Sequence, residues 1–237
     1  LLVARKLIAL KMPELAAHME PHNSYFIGTD VFYQYMVLNR CAELKARHKL
    51  EKEHFQEAEE LTRRLQNGKI PEDIRAQLEE MLDHYGNLPI IVRSSSIMED
   101  GYGNAFSGKY ESVFCMNQGT REERLKELED AMRRVYASVM NESAIEYRRK
   151  RHLLDMDEQM ALLIQQVSGQ TYGDYYLPVA AGMGCSYNPY KWMEYLNPRA
   201  GMLRMVVGLG TRAVERTPGD YPRLVAVSYT HLTLPTN

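Results

Sequence analysis

The hydrophobic pattern of this chain changes period at Gly86. Before it, apolar residues recur at helical spacing. Val31, Tyr35 and Leu38 follow Thr29 and Asp30, which suit a helix start. Leu50, Phe55, Ala58, Leu61 and Leu65 mark a helix expected over residues 46–66 and stopped by Gly68. Ile74, Leu78, Leu82 and Tyr85 mark another that starts at Pro71 and ends at Gly86. After Gly86, residues 88–92 form a short apolar run of the kind that makes a buried strand. A polar, glycine-bearing loop is expected over 93–109, a strand over 110–116 and one long helix over 120–150. Strand-like runs follow at 160–167, 175–181, 202–207 and 224–227. Helices first and clustered strands later predict an α+β fold with a partly antiparallel sheet, and a joint near residues 155–158 that separates two lobes.

The chain has 237 residues, enough to bury a core as one large domain or two small ones. A formal net charge of -2 argues against a global field for nucleic acid or an anionic membrane. No apolar run approaches the length that crosses a bilayer. Cys41, Cys115 and Cys185 are odd in number and far apart, which argues against a disulfide framework and for a cytoplasmic setting. The histidines show no metal-ligand spacing, so no metal ligands are assigned. Residues 229–237 carry no charge and read as a non-native tail.

The chemistry concentrates between Ile91 and Ser112. An apolar strand is expected to end at Arg93, followed by Ser94, Ser95 and Ser96, then Glu99 and Asp100, then Gly101, Gly103 and Gly108. A guanidinium fork suits phosphate oxygens. Hydroxyls and glycine-freed backbone N–H groups add donors around an anion. Glu99 and Asp100 are alternatives as residues that orient the arginine. Gly103, Gly108 and Lys109 have P-loop spacing, but Tyr110 stands where a magnesium-binding Ser or Thr belongs and a strand is expected where a helix should begin. A surface hairpin with a structural arginine is the plain alternative.

This segment resembles the Val-Arg-Ser-Ser signature of the ATP-binding domain of phosphoenolpyruvate synthases and pyruvate phosphate dikinases. The matching residues are Val92, Arg93, Ser94 and Ser95, then Glu99 and Asp100, then Phe106, Ser107 and Gly108, then Glu111 and Ser112. Further pieces follow in order at Arg134–Ser138, Ala144–Arg148, Leu163–Gln165, Tyr187–Pro189, Gly208–Gly210 and Pro218–Tyr221. The resemblance implies an incomplete ATP-grasp fold, truncated at both ends, with a first lobe and helical N-terminal part over 1–155 and a second over 156–228. It implies that Arg93, with Ser94 nearby, contacts ATP phosphates, that Gly108 lets the loop approach them, that Ser112 lies beside the nucleotide and that Gln165 lines the adenine pocket. It implies ATP and Mg2+ as cofactors. It also implies a reaction in which ATP phosphorylates a histidine on a separate domain, which then phosphorylates pyruvate.

The departures are specific. The family's early glycine-lysine element is absent, and Thr211 stands where glutamate often follows Gly-Leu-Gly. The later metal-binding acids, the phosphohistidine domain and the pyruvate-binding barrel are absent too, so a fragment inactive alone in the overall reaction is expected. The alternative function is a non-catalytic nucleotide-binding sensor or interaction module. A third reading uses the basic run from Arg148 to His152 for RNA, although cations at a helix C-terminus are ordinary.

Overall fold

A computed structural model describes residues 2–19, 23–45, 55–99, 108–154, 156–210 and 222–229. The chain divides into two compact units, Leu1–Gln166 and Val167–Asn237.

The first unit opens with helices α1 (Leu2–Lys11) and α2 (Pro13–Ala16), then β1 (Ser24–Ile27) and α3 (Thr29–Leu38). Helices α4 (Phe55–Asn67) and α5 (Glu72–Tyr85) lead to strands β2 (Ile90–Ser96) and β3 (Ser112–Cys115). Helices α6 (Arg121–Ala137) and α7 (Glu142–Lys150) precede β4 (Met160–Gln166). The strands form one antiparallel sheet in the order β1-β4-β2-β3. Helix α6 packs on β2, β3 and β4, α3 packs on β4, and α4 and α5 pack on α6.

The helix layer is fixed by residues that alternate along each strand. Ile90 and Val92 on β2 and Met160, Leu162 and Ile164 on β4 face the helices and are almost wholly buried. They meet Leu128, Met132 and Val135 of α6. Tyr136 stacks against Phe32 at 5.1 Å and Tyr35 at 5.2 Å between ring centroids. The buried Tyr35 hydroxyl donates to the Leu65 carbonyl at 2.5 Å and Tyr85 to the Ile164 carbonyl at 3.1 Å, so these two tyrosines enter the core with satisfied tips, whereas the Tyr136 hydroxyl has no hydrogen bond among the described residues. Thr120 and Glu123 close a reciprocal capping box that starts α6.

Several expected boundaries move. The helix expected over 120–150 is broken: a 3-10 turn spans Ser138–Met140, and Asn141 is extended, with φ -57° and ψ 137°. The Ser138 hydroxyl donates to the Val135 carbonyl, and Arg148 donates to the Val139 carbonyl at 2.5 Å, so the break's polar backbone is satisfied from within. Strand β2 runs on to Ser96 rather than stopping at Val92, because β4 supplies partners for Ser94, Ser95 and Ser96 at Leu162, Ala161 and Met160. The expected joint at 155–158 falls inside the first unit. Strand β4 begins just after it and lies between β1 and β2, so a division there would split the sheet. Strand β1 is new relative to the sequence expectation. Part of the helix expected over 46–66, residues 46–54, lies outside the described residues.

The second unit holds a hairpin of β5 (Gln170–Tyr172) and β6 (Tyr175–Leu177), and an antiparallel sheet of β7 (Ala180–Cys185), β8 (Met202–Val207) and β9 (Arg223–Ala226). The single run expected over 175–181 is therefore two strands. Gly182 is required where β7 crosses β8: a Cβ there would stand 2.1 Å from the Arg204 carbonyl oxygen. The proposed tail lies outside the described residues from 230 onward.

Candidate functional site

The antiparallel registers align two rows of residues across the face of the first sheet that points away from the helices. One row is Phe26, Leu163, Arg93 and Ser112; the next is Ser24, Gln165, Ile91 and Phe114. Arg93, Ser112 and Gln165 therefore share a face although they come from three strands.

Arg93 stands in the middle of β2, not at its end. It is exposed, and among the described residues its guanidinium has no hydrogen-bond or ion-pair partner. Ser112 is directly opposite on β3 and exposed. Gln165, the penultimate residue of β4, donates from Nε2 to the Ser24 hydroxyl at 3.1 Å. That bond orients the amide, whose carbonyl oxygen has no hydrogen bond among the described residues. Phe26 is 70% exposed and Phe114 44%, so this face also presents aromatic surface.

Ser94 is not brought to this face. Strand alternation turns it toward the helices, where its hydroxyl donates to Glu99 Oε1 at 2.9 Å. Glu99 Oε2 also accepts from the Ser96 N–H at 3.4 Å, so this carboxylate holds the turn that leaves β2. Gly108 is exposed with φ +74°, a conformation that disfavours any side chain. It precedes Tyr110, which is buried; burial, and then the Glu158 carboxylate, push the Tyr110 hydroxyl pKa upward. A strand and not a helix follows Lys109, which removes the P-loop geometry. Asp100, Gly101, Gly103, Phe106 and Ser107 lie outside the described residues, as do Thr211 and Pro218–Tyr221.

Sequence reasoning missed the contribution of β1. Ser24 and Phe26 complete the two rows, and the signal was there: Tyr25, Phe26 and Ile27 are strand formers bounded by Asn23 and Gly28. It was too short to stand out against the helices around it. The basic run is also reassigned in part. Arg148 is buried beside Glu158, and only Arg149, Lys150, Arg151 and His152 are exposed. Among the described residues no three His, Cys, Asp or Glu side chains converge on a metal position. No described helix is long and apolar enough to cross a membrane.

A family model described as pyruvate phosphate dikinase, AMP/ATP-binding domain, matches residues 6–232. The chain belongs to that family. No curated protein matches it significantly. Membership of the pyruvate phosphate dikinase nucleotide-binding family makes this chain an ATP/AMP-binding part of a dikinase-family protein. The match runs through both compact units, and the rows around Arg93 lie well inside it.

Proposed function

We propose that the chain is the ATP-binding part of a phosphotransferase that passes a phosphoryl group from ATP to a histidine on a separate domain and from there to pyruvate. The observation that carries this reading is the exposed Arg93 guanidinium, without a partner among the described residues, in the middle of β2, with a hydroxyl from Ser112 across the ladder. An exposed cation that shares a sheet face with hydroxyl, amide and aromatic side chains suits an anion attached to a flat ring.

Arg93 binds phosphate oxygens through its planar fork and offsets their charge. Ser112 donates its hydroxyl to the same chain of phosphates. The Gln165 carbonyl oxygen accepts from the adenine amino group, while Leu163 and Phe26 supply apolar surface. Gly108 lets the returning loop approach the phosphates. The two compact units are the two ATP-grasp lobes. Mg2+ bound with the nucleotide would offset phosphate charge beside Arg93; among the described residues no acidic cluster would hold it. The chain's share of the reaction is positioning and charge neutralisation. The phosphohistidine and pyruvate-binding domains are its partners, and this chain alone makes no phosphoenolpyruvate.

Calorimetric titration with Mg-ATP tests the assignment. Binding by the unaltered chain and a loss of roughly tenfold or more in Arg93→Ala are expected. Equal affinity in both proteins removes Arg93 from its role, and pyruvate-dependent formation of AMP by this chain contradicts the expected division of labour.

A further inference from the structure

The turn that leaves β2 three residues beyond Arg93 is tied to a buried carboxylate with no place in the site described above. Glu158 is 2% exposed, in the short connection that enters β4. One of its oxygens accepts from the Ser96 hydroxyl. The Ser96 oxygen in turn accepts from the Met98 N–H at 3.0 Å, and the Ser96 carbonyl accepts from the Glu99 N–H at 3.1 Å. Together with the two bonds made by Glu99, every described residue from Ser94 to Glu99 except Ser95 and Ile97 is drawn into one network.

The carboxylate is itself held from behind. Lys45 donates to the Glu158 carbonyl at 2.7 Å and to Asp157 at 3.0 Å, which fixes the backbone that carries it. Arg148, also buried, is its counter-charge at 3.8 Å, and Arg148 is braced by the Val139 carbonyl. The second Glu158 oxygen has no hydrogen bond within the described residues. This is an expensive way to close a turn. A buried ion pair with an incompletely satisfied oxygen gains little stability over an apolar pair of the same volume. What such a pair does offer is a single direction for the group it holds.

We propose that Glu158 is a positioning residue for the nucleotide site: by anchoring Ser96 it fixes the turn after β2 and, with it, the strand position from which Arg93 meets phosphate. The ladder carries the constraint, because Ser96 pairs with Met160, two residues after Glu158, and Arg93 pairs with Leu163 on the same two strands. The inference rests on the ATP-binding reading and deepens it.

The test compares Glu158→Ala, Glu158→Gln and Ser96→Ala in the full chain. It reads Mg-ATP affinity, adenosine affinity and amide hydrogen exchange in the peptide 96–99. Glu158→Ala and Ser96→Ala should each weaken Mg-ATP about tenfold, the size of one lost hydrogen bond to a charged group. Adenosine affinity should stay within about twofold, and exchange in 96–99 should accelerate. Glu158→Gln keeps an acceptor oxygen for Ser96 and should recover most of the Mg-ATP affinity. If Glu158→Ala does not fold, Ser96→Ala decides, because it leaves the buried ion pair in place. Unchanged exchange in 96–99 overturns the anchor. Equal losses for adenosine and Mg-ATP, or none for Mg-ATP, overturn the positioning role. An unaltered chain that binds no Mg-ATP overturns the nucleotide reading and the positioning role with it, while exchange still shows whether Glu158 orders the turn.

Discussion

Val92 and Arg93 are consecutive residues on β2, and they belong to opposite halves of the molecule's chemistry. Val92 is fully buried beneath α6 with Ile90, Leu162 and Ile164. Arg93 is exposed, level with Leu163 and Ser112, and unpaired among the described residues. The helix-facing side of the sheet is mostly apolar, and two of its polar residues, Ser94 and Ser96, are hydrogen-bonded to carboxylates. The other side mixes aromatic surface, hydroxyls, an amide and a cation. One side is composed to exclude water from a core, while the other leaves polar groups exposed. A two-residue repeat lets a single strand serve both purposes.

The sharpest way to break this comparison is to truncate a residue on each side. Ile164→Ala removes a fully buried side chain from the inward side and should cost about 2–5 kcal/mol in urea unfolding, with no phosphate-specific effect on ligand binding. Arg93→Ala should do the reverse: a shift in stability within about 0.5 kcal/mol, and the loss of Mg-ATP affinity set out above. If Arg93→Ala unfolds the protein, the outward side is structural and the comparison fails.

Two smaller effects sharpen the inward side. Thr120→Ala removes the capping box that starts α6, the helix covering β2, β3 and β4, and should cost about 1 kcal/mol by thermal or chemical unfolding. Cys115 faces the helices from β3, and burial raises its thiol pKa from 9.0 to about 12. An acid whose pKa is raised by folding holds its proton longer in the native state than in the unfolded one. Its contribution is therefore intact below pH 9 and falls as pH rises from about 9 toward about 12. At about pH 9.5 this loss should be under ~1 kcal/mol, and absent in Cys115→Ala. In the same range native Cys115 should resist thiol reagents that label the half-buried Cys185. Rapid labelling of Cys115 in native protein would show that side of the sheet to be open.

Much of the first unit was legible before any coordinates. The stripes Leu61–Leu65 and Ile74–Leu78–Leu82 became buried faces of α4 and α5, because a helix that long must hide an apolar side. The strand runs at 160 and 202 fell nearly where expected. The failures have particular causes. Nothing local says that Ser94, Ser95 and Ser96 continue a strand; their partners lie some 65 residues away on β4. The break at Asn141 interrupts a stripe that Val139, Met140 and Ala144 carry across it in sequence, and it is held by Arg148 from the following helix. The mid-strand position of Arg93, and the separation of Ser94 from it, follow from that same extension.

By itself the sequence determined the kind of elements, which side chains carry a chemistry suited to anions, and the family, since periodicity and side-chain chemistry are local and motifs are linear. Tertiary structure alone decided which of those residues meet. Pairing register placed Arg93, Ser112 and Gln165 on one face and turned Ser94 to the other. Packing of α7 likewise made Arg148, one cation in a basic run, the counter-charge of a buried Glu158. Register is set by contacts between strands distant in the chain, and a shift of one residue would have exchanged the two faces.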